Sequence, residues 1–162
     1  MKKLPFLLFA FLLLAVACSS IDCPVENVVA TVYKLKKSDG TADTLKDSLT
    51  VISHRSNGSD TAVLSYCVKT TMFQLPIGYT NPEDTLYFVV KKEGEIYRDT
   101  VFVKKDNQPH FESVDCKISF FHTITSVKLA THNAIDSIVI NKTAVNYDLS
   151  TEHFHIYFKA ER

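Results

Sequence analysis

Two histidines separated by one residue, His153 and His155, form the one spacing in the chain that is typical of metal ligands. On a β-strand, residues two apart share a face at about 7 Å from each other, so two imidazoles could hold Zn or Cu with a third ligand. Phe154, Ile156 and Phe158 alternate with the histidines and predict a core face. We therefore expect His153 and His155 on the outer, polar face, and a transition-metal site is the alternative.

Signatures of catalysis are missing from the sequence. It contains no G-x-S-x-G, no H-E-x-x-H and no glycine-rich phosphate loop. Nucleic-acid binding is disfavoured because the chain carries 18 basic and 18 acidic residues without a basic run. We therefore predict a protein that is not an enzyme, that needs no cofactor and that binds no nucleic acid.

A tripeptide of Asp, then Ser or Thr, then a small or aliphatic residue occurs six times, where the composition predicts about one. The tripeptide resembles the O-glycosylation sequon of exported proteins of the Bacteroidota, in which the hydroxyl residue is modified. The structural alternative is that Asp ends a turn and the next two residues begin a strand. The candidate glycosylation sites are Thr44, Ser48, Thr61, Thr85, Thr100 and Ser137.

The N-terminus has the parts of an export signal. Two lysines are followed by an apolar run of 12 residues, 6–17, and the run ends in Ala15-Val16-Ala17 before Cys18. The run is shorter than the about 20 apolar residues that span a bilayer. A cysteine at this position resembles a bacterial lipobox, in which Cys18 is acylated and becomes the first mature residue. Ordinary cleavage at the same bond, which would release a soluble protein, is the alternative.

The residues after Cys18 bear on the location. Ser19 argues against retention in the inner membrane by the rule known from enterobacteria. Surface export in the Bacteroidota tends to follow an acidic cluster, and here only Asp22 is present. We therefore expect a lipid-anchored protein of the outer membrane that faces the periplasm rather than the cell surface.

Three cysteines remain once Cys18 is lipidated, and an exported protein can form disulfides. Cys23 lies in an irregular segment and Cys116 follows a turn-like one, so we favour a Cys23–Cys116 pair. Closing this loop would contribute about 4–5 kcal/mol in the chain-entropy model. Cys67 lies in an apolar segment whose composition predicts a strand, and we expect the side chain of Cys67 to be a buried free thiol.

Short apolar segments separated by turn residues fill the chain from Val25 onward, without sustained 3.6-residue periodicity. The clearest unit is a hairpin around Gly94, which suits a type I turn with a bulge. We expect residues 1–17 to be a cleaved signal peptide and residues 18–24 a lipidated tether. Residues 25–162 should form one all-β domain, an immunoglobulin-like or related β-sandwich of nine or ten short strands.

Several short segments match one known pattern, namely Asp115-Cys116, residues 134–137, 145–147 and 156–158, together with Cys23 and residues 73–76. In these segments the chain resembles a family of small, uncharacterised lipoproteins of the Bacteroidota that is known as a domain of unknown function. The resemblance implies an envelope location and a β fold. It implies no substrate.

We therefore expect a membrane-anchored lipoprotein of the periplasm or cell envelope that acts as a non-catalytic binding or assembly module. Its expected partners are the lipid bilayer, through Cys18, and another envelope protein that docks at an exposed strand edge. The alternative is a β-sandwich that binds a small ligand or a transition metal. An exposed apolar patch would favour the protein partner, whereas a pocket that joins His153 or His155 to Cys67 or another histidine would favour the alternative.

Overall fold

A computed structural model describes residues 28–55, 58–114 and 116–159, which form ten β-strands in two sheets packed face to face. The prediction of an all-β sandwich is confirmed. The described ranges hold no helix that could cross a bilayer. The strands are β1 (Ala30–Leu35), β2 (Ser48–His54), β3 (Thr61–Cys67), β4 (Met72–Pro76), β5 (Glu83–Lys92), β6 (Glu95–His110), β7 (Ser119–Leu129), β8 (Ile135–Ile140), β9 (Ala144–Val145) and β10 (Phe154–Phe158).

The two sheets differ in size. The smaller one has the order β4-β1-β10-β8, and the larger one has the order β3-β2-β5-β6-β7-β9. Neighbouring strands are antiparallel except β1 and β10, which pair in parallel with Tyr33 opposite Phe154. The first and last strands of the domain are therefore neighbours within the smaller sheet.

The core lies between the sheets, and its residues alternate along the strands. Leu86, Phe88 and Val90 of β5 are 5%, 0% and 4% exposed, whereas the intervening Tyr87 and Val89 are only partly buried. Each fully buried apolar side chain of this kind contributes about 1.5–3 kcal/mol relative to an exposed one. Because successive side chains of a strand point to opposite sides, the apolar residues at every second position form the face that packs in the core.

An aromatic cluster joins the two sheets at the centre of the core. The ring of Tyr33 lies 4.7 Å from that of Phe154 and 5.1 Å from that of Phe73, both in the smaller sheet, and 6.0 Å from that of Phe88 in the larger sheet. Burial raises the pKa of Tyr33 well above its usual value. The phenol therefore stays neutral, which suits a group enclosed by apolar rings.

One buried carboxylate fixes the connection between β7 and β8. Asp99 of β6 is fully buried, and its two oxygens accept hydrogen bonds from the main-chain N–H groups of Asn133 (2.6 Å), Ala134 (2.7 Å) and Ile135 (2.8 Å). Hydrogen bonds to an ionised group are stronger than neutral ones. These three bonds satisfy the carboxylate and attach the start of β8 to the larger sheet.

The predicted hairpin is confirmed as β5 and β6, but its turn differs from the prediction. Lys92 pairs with Glu95, which leaves a two-residue loop of Glu93 (φ 51°) and Gly94 (φ 93°). Positive φ at both loop residues is typical of a type I′ turn, whose twist matches that of the strands. The predicted type I turn with a bulge is therefore wrong, because strand pairing continues closer to the turn than the sequence pattern indicates.

The two ends of the sandwich differ in charge. At one end, the connection 36–47 and the tip of the β5–β6 hairpin, residues 91–95, contain ten charged residues among seventeen. At the other end, the segments 28–29, 77–82 and 108–118 contain three charged residues among nineteen, whereas the segments 55–60 and 141–148 of the same end contain Arg55, Asp60, Lys142 and Asp148. We call the surface formed by the three segments 28–29, 77–82 and 108–118 the apolar pole.

Candidate functional site

The histidine pair does not lie where strand alternation predicts. His153 is fully buried, and both of its ring nitrogens contact the main chain: Nδ1 is 3.0 Å from the N of Val32 and Nε2 is 3.1 Å from the O of Ala144. His155 is partly exposed, and its Nε2 lies 3.0 Å from Glu152 Oε2. The predicted outer position is wrong for His153 because β10, and with it the alternation, begins one residue later.

These contacts also bear on the metal alternative. Burial lowers the pKa of His153 and keeps the ring neutral, so Nδ1 accepts from the N–H of Val32 and Nε2 donates to the carbonyl of Ala144. Neither nitrogen has a free lone pair for a metal ion. In the described ranges, no three His, Cys, Asp or Glu side chains are grouped as metal ligands would be. The histidine pair therefore gives the metal alternative no support.

The six candidate glycosylation sites differ in exposure. Thr44 is exposed in the connection before β2, whereas the other five are partly buried in strands. Thr100 directly follows Asp99, whose carboxylate is enclosed in the core. A glycan needs an accessible hydroxyl group, so Thr44 is the most accessible of the six candidates. Its modification stays a prediction.

The cysteines are in different states. Cys67 is a free thiol, as predicted, but it is partly exposed at the end of β3 rather than fully buried, and desolvation raises its pKa. Cys116 lies in the connection between β6 and β7 and is not free. Cys18 and Cys23 lie outside the described residues, so the lipidation and the Cys23–Cys116 pair stay predictions.

The sheets end in four edge strands, of which β3 is the least protected. β9 has two residues, β4 ends at Pro76 and β8 carries Asp136, features that discourage pairing with another chain. β3 spans Thr61–Cys67 without a charge or a proline, and none of its residues is fully buried. Its pairing with β2 contains register shifts. Among the described strands, none pairs with its outer side.

Exposed apolar side chains continue from this strand. Tyr66, Val68 and Met72 are 79%, 49% and 36% exposed, and they lie near the end of β3, in the connection to β4 and at the start of β4. Tyr66 and Lys69 have φ values of 51° and 52°. A non-glycine residue in this left-handed region costs about 1–3 kcal/mol, and a bulky side chain is rare there. We refer to β3 with Tyr66, Val68 and Met72 as the β3 edge.

A second exposed apolar surface covers the apolar pole. β6 and β7 continue to pair beyond the start of β5, so the connection between them projects from the end of the larger sheet. The most exposed apolar side chains of the pole are Val28 (54%), Tyr79 (59%), Phe111 (61%), Val114 (84%) and Ile118 (56%).

A shallow pocket of about 210 Å³ opens in the pole, and it is lined by Val29, Ile77, Tyr79, Ile118, Ser119, Phe120 and His122. The rings of Tyr79 and Phe120 stack with centroids 4.4 Å apart and form one wall. The volume is below the about 300–1,000 Å³ that is typical of small-molecule sites. The pocket therefore fits an apolar side chain better than a free ligand.

A buried ion pair lies beneath this pole. The side chain of Lys105 is fully enclosed, and its Nζ lies 2.7 Å from Asp84 Oδ2. The same oxygen accepts a hydrogen bond from the N–H of Gly78 at 3.1 Å. Among the described residues, the ammonium has no further hydrogen-bond partner. Asp84 therefore neutralises a buried charge and holds the segment that carries Tyr79.

His122 supports the same segment. Desolvation and, to a smaller extent, the nearby Lys105 lower the pKa of His122 to about 4, so the ring is neutral at pH 7. Its Nδ1 donates to Asn107 Oδ1 at 2.7 Å, and the amide of Asn107 donates to the carbonyl of Tyr79 at 2.9 Å. The sequence analysis missed Lys105 and His122. The sequence did offer a signal for Lys105, because this residue continues the alternation that places Val101 and Val103 in the core.

Comparison with known proteins gives a family match. The model of a family described as "Family of unknown function (DUF6452)" covers residues 48–158, from the start of β2 to the end of β10. The chain belongs to this family. No curated protein and no solved structure matches the chain. The prediction of an uncharacterised domain is confirmed, and the DUF6452 region contains the β3 edge and most of the apolar pole.

Proposed function

We propose that this DUF6452 protein is a membrane-anchored lipoprotein of the cell envelope that acts as a non-catalytic assembly module and docks another envelope protein at the β3 edge. The anchor is Cys18, acylated after removal of residues 1–17. The location we propose is the periplasmic side of the outer membrane of a member of the Bacteroidota. The export signal and the cysteine that follows Ala15-Val16-Ala17 support the anchor.

The observation that carries the docking proposal is the unprotected state of β3. An edge strand offers a row of unpaired N–H and C=O groups to an extended segment of another chain. The edges at β4 and β8 carry a proline and a charge, and β3 carries neither. Tyr66 lies at the end of this edge with 79% of its surface exposed. Tyrosine is enriched in the energetic centres of protein interfaces.

The partner we propose is an extended, largely apolar segment that adds a strand beside β3. Its main chain would pair with that of β3, and its apolar side chains would cover Tyr66, Val68 and Met72. The register shifts between β2 and β3 limit the length of regular pairing. This feature favours a short segment of a specific partner over open-ended stacking of sheets.

Site-specific photo-crosslinking tests the proposal in cells. A benzophenone amino acid replaces Ala62 or Ser65, both exposed on β3, and Val139, 44% exposed on the β8 edge, is the control position. We expect one envelope protein to be captured from both β3 positions and not from the control. Ala62→Lys with Ser65→Lys should reduce capture by a probe at Tyr66 by about tenfold or more, because edge lysines oppose strand addition.

Two results would contradict the proposal. Equal capture from Val139 and from β3 would show contact without a preferred edge. A crosslinked adduct of two copies of this chain would show that β3 mediates self-association and does not dock another envelope protein.

A further inference from the structure

The apolar pole lies where the chain enters the domain. Val28, one of its five exposed apolar residues, follows Cys18 by ten residues. Ten residues reach at most about 33–36 Å when fully extended. With Cys18 acylated, as proposed above, Val28 at the entrance to the pole cannot lie farther than this from the lipid.

The predicted disulfide would shorten this distance. Five residues separate Cys18 from Cys23 and span at most about 17–18 Å. Cys116, the predicted partner of Cys23, lies two residues from Val114 and two from Ile118. The pair would therefore hold the projecting β6–β7 connection next to the anchor.

The composition of the pole suits a lipid surface rather than water. Its three segments contain three charged residues among nineteen. Its exposed side chains include the aromatic Tyr79 and Phe111. Aromatic and aliphatic side chains are favoured at the boundary between headgroups and acyl chains. A surface of low charge with exposed aromatic side chains therefore lies where the chain enters the domain.

We propose that the apolar pole rests on the lipid surface, with Phe111 and Val114 entering the headgroup region as a second membrane contact. The inference rests on the proposed acylation of Cys18. A second contact restricts rotation of the domain about its tether. The β3 edge runs between the two ends of the sandwich, so it would then face along the membrane, towards proteins embedded in it.

The chain contains no tryptophan, so a single introduced tryptophan reports its own surroundings. The variants Phe111→Trp and Val114→Trp place the reporter on the pole. Ile96→Trp is the matched control, because Ile96 is 67% exposed on β6 at the opposite end. The acylated protein, purified from membranes, is placed in phosphatidylethanolamine–phosphatidylglycerol vesicles with brominated acyl chains, and flotation shows whether the protein is bound.

We expect quenching of at least about twofold and a blue shift for the two pole variants, and neither for Ile96→Trp. Equal, unquenched emission from all three floating proteins would overturn the inference and leave the anchor intact. Failure to float would contradict the proposed acylation, and the inference would fall with it. A blue shift of the pole variants in native membranes without quenching in vesicles would assign the pole to a protein partner and overturn the lipid contact.

Discussion

Substitution of Asp84 by Asn should destabilise the protein strongly, because it leaves the buried ammonium of Lys105 without a counter-charge. At the observed 2.7 Å, the attraction of the two charges is about 6 kcal/mol at an effective dielectric constant of about 20. Removing one member of a buried pair costs about 3–5 kcal/mol. We therefore expect a loss of about 3–4 kcal/mol, measured by urea denaturation at pH 7, out of a total of about 5–15 kcal/mol.

The neighbouring pair Lys104–Glu83 is a matched control. Its atoms lie 3.8 Å apart, and its side chains are 63% and 36% exposed. Glu83→Gln should therefore cost about 0.5 kcal/mol or less. Lys105→Met combined with Asp84→Asn should recover stability relative to Asp84→Asn alone, because no unpaired charge then stays buried. If Asp84→Asn is as mild as Glu83→Gln, the burial argument for Lys105 is refuted.

Three further predictions concern the buried polar groups and the main chain beside them. Asp99→Asn should cost about 1–3 kcal/mol in urea denaturation, because the amide cannot accept all three main-chain N–H groups, whereas Asp136→Asn on the exposed surface should be near neutral. Gly78→Ala should cost about 1–3 kcal/mol by differential scanning fluorimetry and denaturation, because its Cβ would lie 2.9 Å from Asp84 Oδ1. The pKa of His122 is about 4 in the folded protein and about 6.5 in the unfolded chain. Between these two pH values the unfolded chain therefore binds more protons than the folded protein. The contribution of His122 to the free energy of unfolding should be fully present above pH 6.5 and should be lost, by up to about 3 kcal/mol, as the pH falls towards 4. His122→Gln should remove this part of the pH dependence, measured by urea denaturation across the pH range.

The fold class was predictable because alternation is a local signal. A strand can show its core face in its own residues, as Phe154 and Ile156 do on β10. Strand order was not predictable, since it depends on pairings between distant segments. The parallel pair of β1 and β10, with Tyr33 opposite Phe154, leaves no mark in either segment.

The errors about polar residues have a common cause. Strand periodicity was extended past the start of β10, which placed His153 outside although its ring is bonded to the main chain in the interior. Lys105 and Asp99 occupy inward positions of β6, and the sequence analysis did not identify either as buried. A buried charge is tolerated only when its partners are in place, and those partners come from other parts of the chain.

The candidate surfaces were predictable only in kind. The sequence analysis expected docking at an exposed strand edge without naming the strand. The choice of β3 needs the sheet order, because exposure of an edge is a property of the neighbours that a strand lacks. The apolar pole likewise combines three segments that are far apart in sequence.

Intact-mass spectrometry of the protein from its native membrane, beside a Cys18→Ala variant, tests the membrane anchor on which the account depends. We predict a chain that begins at residue 18 and carries the added mass of acyl groups, which the variant lacks. Recovery of an unmodified chain in the soluble fraction would contradict the anchor, the lipid contact of the apolar pole and the proposed assembly role at the membrane.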